Sequence, residues 1–111
     1  MKIIIDIKVV DGTYYIRETN QLYSGPYVLY YKNGQKESEV VIKGGKENGL
    51  KTYWYENGQK ESEGTYKDGK KDGLWTYWYE NGQKMEEETF KDGELISQEC
   101  WDEDGNEKEC D

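Results

Sequence analysis

The chain has no histidine, one proline, one phenylalanine and two cysteines among its 111 residues. Without histidine it lacks the commonest general base and the commonest metal ligand, so neither a metal nor any other cofactor is expected. Only 33% of the residues are hydrophobic, and the longest apolar runs, residues 3–5 and 40–42, fall far short of a membrane-spanning helix of roughly 20 residues. Met1-Lys2 leads straight into an alternating segment, without the tripartite pattern of a signal peptide. As given, the chain reads as soluble and without a transmembrane segment. A thick-cored globule is not expected from so polar a composition. The net charge of −9 opposes generic attraction to nucleic acid or anionic membrane and favours a basic protein surface as partner.

What the chain does have is aromatic residues: 11 Tyr and 4 Trp. Their large apolar bodies and wet polar tips suit a thin, half-exposed structure. They recur in phase. Lys32-Asn33-Gly34-Gln35-Lys36-Glu37-Ser38-Glu39 returns as Glu56-Asn57-Gly58-Gln59-Lys60-Glu61-Ser62-Glu63 and again as Glu80-Asn81-Gly82-Gln83-Lys84-Met85-Glu86-Glu87. The Asn-Gly pairs lie 24 residues apart, and a degenerate copy, Asp104-Gly105, follows. A second turn signal keeps the same phase at Gly44-Gly45, Asp68-Gly69 and Asp92-Gly93.

Each unit therefore holds two turns and two short segments rich in Tyr, Trp, Thr and Val, which is the pattern of a β-hairpin. Its Asn-Gly turn suits either type I′ or type I with a glycine bulge. The Lys-Asp-Gly-Lys-Lys-Asp-Gly segment (67–73) reads as a looser connection to the next hairpin. The expected fold is all-β: an elongated single-layer antiparallel sheet of consecutive hairpin repeats with a 24-residue period and a capping hairpin at each end. One domain spans 1–111, with an N-terminal capping hairpin over 1–24, repeats over 25–48, 49–72 and 73–94, and a C-terminal capping hairpin over 95–111. Alternation puts Tyr30, Trp54 and Trp78 on one face. Tyr31, Tyr55 and Tyr79 fall on the other, beside Leu29, Tyr53 and Tyr77. On the returning strand Ile42, Tyr66 and Phe90 form a further equivalent set. These ladders are expected to hold the ribbon together by stacking on their neighbours.

The Tyr-x-Asn-Gly-Gln-Lys motifs (31–36, 55–60, 79–84) and Tyr66-Lys-Asp-Gly-Lys-Lys-Asp-Gly-Leu-Trp75 give the chain a close likeness to known sequences. It resembles the MORN-repeat variant family, including proteins labelled YwqK-type antitoxin components. The resemblance implies a curved single-layer sheet of hairpins that mediates protein contacts, and its antitoxin label implies neutralising a toxin by binding it. Gly64 departs from the repeat, with Val40 and Glu88 at the equivalent positions.

The favoured function is non-enzymatic protein binding, with neutralisation of a basic toxin as one form. The expected contact surface is the aromatic set Tyr31, Tyr53, Tyr55, Trp75, Tyr77, Trp78 and Tyr79, since exposed Tyr and Trp dominate interface hot spots. Glu61, Glu63, Glu86 and Glu88 offer acidic complementarity to such a partner. The blander reading is that the rings only hold the ribbon and the acids only solvate a strand. Glycan or cell-envelope binding by the aromatic face is the alternative, and attachment to phospholipid, through a basic cluster such as residues 67–71, is a second. Carboxylate pairs that recur once per repeat with no evident pocket do not suggest catalysis. Sheet edges offer a route to homo-oligomers. Cys100 and Cys110 flank the last turn with equal parity, so a disulfide between directly opposed residues is the favoured expectation and free thiols the alternative. A bridge there places the protein outside the reducing cytosol, secreted or periplasmic after loss of a signal peptide, in preference to the cytoplasm.

Overall fold

The computed structural model describes residues 6–111. Within them every regular element is a strand: β1 (Ile7–Val10), β2 (Thr13–Ile16), β3 (Gly25–Tyr30), β4 (Lys36–Lys43), β5 (Lys46–Trp54), β6 (Lys60–Lys67), β7 (Lys70–Trp78), β8 (Lys84–Lys91), β9 (Glu94–Trp101) and β10 (Glu107–Lys108). Strands β3 to β10 form one antiparallel sheet in strict sequence order, and β1 pairs with β2 in a separate hairpin. The molecule measures 50 × 35 × 17 Å. The expected ribbon of consecutive hairpins is therefore what the chain forms. The opening hairpin turns at Asp11-Gly12, while residues 3–5 of its expected first strand lie outside the described residues.

The two turn classes are both tight, but of different types. At each Asn-Gly turn the glycine alone has positive φ, 90° at Gly34, 89° at Gly58 and 90° at Gly82, as in a type I turn closed by a glycine bulge. Tyr55 N–H donates to Gln59 O (2.8 Å) and Gly58 N–H to Tyr55 O (3.0 Å), closing the loop. The type I′ geometry belongs to the other class, where Asp68 and Gly69 both have positive φ (50° and 82°). Asp tolerates this conformation because its short side chain bonds locally. The 67–73 segment expected as a looser connection is thus a two-residue turn closed by the Lys67–Lys70 pair. The slack lies one step further on, where β7 bulges at Gly73-Leu74 between the Gly64–Trp75 and Thr65–Asp72 pairs.

Cross-strand pairing fixes the two faces. Leu29, Ser38, Tyr53, Ser62, Tyr77, Glu86 and Cys100 are successive partners, so they share one face. Tyr27, Val40, Lys51, Gly64, Trp75, Glu88 and Gln98 form the next row of that same aromatic face. The opposite face carries Glu39, Thr52, Glu63, Thr76 and Glu87, with the Tyr30–Lys36, Trp54–Lys60 and Trp78–Lys84 pairs beside them. The expected ladders need one correction. Equivalent rings do not stack, because each repeat contributes two strands and Ser62 stands between Tyr53 and Tyr77. Two strand spacings, about 9.5 Å, separate them. The ring contacts that do form are oblique, such as Tyr66 edge-on to Trp75 at 5.2 Å.

Buried apolar surface is concentrated at the N-terminal end. Tyr14 and Tyr23 pack on Val40 and Ile42, with Ile7, Ile16 and Tyr27 around them, so the β1–β2 hairpin covers the start of the aromatic face. Further along, Trp75 is the one large side chain fully enclosed by the sheet itself, 1% exposed. Its indole lies flat over Gly64 and donates from Nε1 to Thr65 O at 3.0 Å. Gly64 departs from its repeat for this reason: an added Cβ there meets the ring at 2.1 Å. The far end is closed by a Cys100–Cys110 disulfide with Cα atoms 5.3 Å apart. The pairing is diagonal instead of directly opposed, since the register partner of Cys100 is Lys108 and Cys110 lies two residues further along.

Gly64→Ala should force the indole out of its seat and lower the unfolding free energy by about 2–3 kcal/mol, the scale of overpacking a tight core. Urea denaturation checks this, with the double variant Gly64→Ala/Trp75→Ala losing clearly less than the sum of the two single changes.

Candidate functional site

The aromatic face is the candidate site, and the repeat builds it from three kinds of residue. Tyr31, Tyr55 and Tyr79 directly follow β3, β5 and β7, just before the Asn-Gly turns, and each reaches across to the next repeat. Their hydroxyls donate to Trp54 O, Trp78 O (2.6 Å) and Trp101 O (2.8 Å) respectively. The three rings are therefore fixed, half-buried walls along one margin of the face. Tyr53 and Tyr77 are the penultimate residues of β5 and β7, also half-buried. Tyr66 and Phe90 come from the returning strands.

Two lysines lie among these rings. Lys51 Nζ is 4.9 Å from the Tyr53 ring centroid and 5.4 Å from that of Tyr66, and it pairs with Glu47 at 2.6 Å. Lys71 Nζ lies 4.8 Å from Trp75, 5.5 Å from Tyr77 and 5.2 Å from Phe90, and donates to the Tyr77 hydroxyl at 2.8 Å. Ammonium groups over electron-rich rings gain cation–π attraction, more so where water is partly excluded. Burial opposes the charge on Lys51, but its hydrogen bonds to Glu47 and Tyr53 outweigh that and hold its pKa above the ordinary value. Burial and the Glu88 carboxylate keep the Tyr77 phenol protonated well above its usual range.

The acids divide between the faces. Glu86 and Glu88 lie opposite Tyr77 and Trp75 on the aromatic face. Burial, then the neighbouring Glu88 carboxylate, push the Glu86 pKa up, with Lys71 acting against them. Glu61 also belongs to this face, between Tyr31 and Tyr55, whose phenols it acts on together. Glu63 stands apart on the opposite face, held by Lys60 (2.9 Å) and the Thr52 hydroxyl (2.8 Å). Those bonds outweigh the burial that opposes its charge and lower its pKa. Lys36–Glu39 and Lys84–Glu87 repeat the same ion pair at 3.3 and 3.4 Å.

Of the seven aromatic residues singled out from the sequence, Tyr31, Tyr53, Tyr55, Tyr77 and Tyr79 come together as half-exposed members of one face, and Trp75 is its buried floor. Trp78 is turned to the other face by strand alternation. Tyr66, Lys51, Lys71 and Phe90 complete the surface; sequence reasoning gave none of them a place in it and named Lys71 only within the 67–71 basic cluster. The observed register is what reveals the two lysines, since it places Lys51 opposite Gly64 and Lys71 opposite Tyr66. Among the described residues no group of three or more carboxylates or thiols stands close enough to hold a metal ion.

A sheet of stacked hairpins with an open aromatic face is the architecture of a repeat-built binding module. The family profile described as MORN repeat variant matches residues 23–43, 47–68 and 71–92, more than half of the chain. The protein belongs to the MORN repeat variant family, whose members are generally non-catalytic modules that bind proteins or membrane phospholipids. Neither a curated protein nor a solved structure matches it.

The two acid environments predict opposite pH effects. A carboxyl whose folded pKa is raised, as for Glu86, weakens folding as pH rises through the carboxylate range. One whose folded pKa is lowered, as for Glu63, contributes stability that is lost as pH falls through that range. Glu86→Gln should therefore raise the urea midpoint at neutral pH and Glu63→Gln should lower it. Both differences should vanish in acid, where all carboxyls are protonated.

Proposed function

We propose that this chain is a non-enzymatic protein-interaction module that binds a partner protein across its aromatic face. The observation that carries the reading is the division of that face. The β1–β2 hairpin covers its β3–β5 end, whereas Tyr53, Tyr55, Tyr66, Tyr77, Tyr79 and Phe90 remain half-exposed along the rest. Rings held rigid by their own hydrogen bonds lose little entropy on binding, which is what makes Tyr effective in interfaces. The face also suits a partner of opposite charge, because the chain carries −9 and the face holds Glu61, Glu86 and Glu88. Neutralisation of a basic toxin by direct occlusion is one such interaction, and it uses the same surface.

An extract of the source cell passed over the immobilised full chain tests this. The expected result is a retained protein whose affinity falls roughly 30-fold, equivalent to about 2 kcal/mol, on Tyr77→Ala and stays unchanged on Trp78→Ala. Circular dichroism confirms that both variants keep the β fold. Retention of no protein at micromolar concentration, with flotation on anionic liposomes instead, would overturn the reading in favour of lipid attachment.

A further inference from the structure

Between the β1–β2 hairpin and the first repeats lies a cleft of about 490 Å³. Tyr14 of the hairpin and Tyr27, Tyr31 and Tyr53 of the sheet line it, with Glu37 and Glu61 among its walls. Tyr14 meets Tyr27 edge-on at 5.0 Å, so the inner end is closed by rings.

The charge balance of this cleft differs from that of the other face. There Glu39, Glu63 and Glu87 each have a lysine three residues earlier in the chain, at 2.9–3.4 Å. Glu37 and Glu61 have no ion-pair partner among the described residues. The one cation lining the cleft, Lys51, is already neutralised by Glu47, which also accepts from the Tyr14 hydroxyl at 2.9 Å. Burial and the carboxylates of Glu61, Glu37 and Glu56 raise the Tyr31 pKa, which marks the local field as negative. The chain's own lysines show what the neighbouring rings accept, since Lys51 and Lys71 both seat an ammonium within 5.5 Å of two or more ring centroids.

We infer that the cleft receives a cationic side chain from an extended segment of a partner protein, its charge held among the tyrosine rings and paired with Glu37 and Glu61. Arginine fits best, because a guanidinium stacks its flat face on a ring while its fork pairs a carboxylate. The inference rests on the protein-binding reading above and assigns one subsite of that surface.

The probe is acetyl-Gly-Arg-Gly-amide, titrated into the full-length protein at low salt and followed by backbone amide NMR shifts. The same peptide with citrulline keeps the shape and removes the charge. Two double variants carry the same change in net charge, Glu37→Gln/Glu61→Gln in the cleft and Glu39→Gln/Glu87→Gln on the opposite face. The expected result is saturable shifts at Tyr31, Tyr53 and Glu61, weakened about ten-fold or more by the cleft variant and by citrulline, and less than about two-fold by the other variant. Equal weakening by both variants, or equal binding of the citrulline peptide, would overturn the inference, as would shifts spread over the whole acidic surface. A partner protein that is retained through Tyr77 while the arginine peptide misses the cleft would overturn this subsite alone and leave the protein-binding reading standing.

Discussion

The structure depends on one contact made three times: a tyrosine hydroxyl at the end of an aromatic strand donating to a backbone carbonyl of the next repeat. Tyr31, Tyr55 and Tyr79 reach Trp54, Trp78 and Trp101 in this way. Beside each, an asparagine amide does the same at the turn. Asn33, Asn57 and Asn81 donate to Glu56, Glu80 and Glu103 at 3.2, 3.3 and 3.1 Å, while their own Oδ1 atoms accept from Gln35, Gln59 and Gln83 at 2.9 Å. One side chain thus shapes its own turn and ties that turn to its successor. The bonds span 23 residues in the first two instances and 22 in the last, so they hold each turn against its successor across both the full repeats and the shortened final unit.

This coupling substitutes for a core. Apart from the N-terminal cluster around Val40 and Ile42 and the Trp75 seat over Gly64, few large side chains are enclosed. Stability is then close to a sum of hairpin and nearest-neighbour terms, and most side chains stay available to solvent. The two faces use that availability differently. One alternates Trp, Thr and paired Lys–Glu, with Lys36 over Trp54 and Lys84 over Trp101, both at 5.9 Å. Exposed pairs of this kind add little stability each, but they leave that face balanced in charge. The other face gathers rings, two enclosed lysines and carboxylates that lack a lysine of their own, and its chemistry points outward.

Much of this was legible in the sequence. The Asn-Gly spacing placed the hairpins, and alternation sorted Tyr53 and Tyr77 from Trp54 and Trp78. Turn type was not legible, because Asn-Gly satisfies both type I′ and the bulged type I turn, and the tyrosine and asparagine bonds to the next repeat favour the second. Ring stacking was misjudged because equivalence in sequence is not adjacency in a sheet where every repeat spends two strands. Glu63 and Glu61 looked alike, yet the bulge after each Asn-Gly turn leaves Glu61 beside the tyrosines while Glu63 faces Thr52 and Lys60. The tyrosine cleft was out of reach, since it depends on where the β1–β2 hairpin docks, and no local pattern encodes that. Gly64 was visible as a departure from the repeat, and only its pairing with Trp75 explains it.

The most direct test of this account compares hydroxyl removals that are chemically identical and structurally distinct. The variant Tyr31→Phe/Tyr55→Phe/Tyr79→Phe deletes the three inter-repeat bonds, whereas Tyr30→Phe deletes a hydroxyl on a ring that is 61% exposed. The account predicts that urea unfolding of the triple variant loses about 1 kcal/mol per hydroxyl, roughly 3 kcal/mol in all, and that Tyr30→Phe is neutral. A triple variant as stable as the parent chain would contradict it.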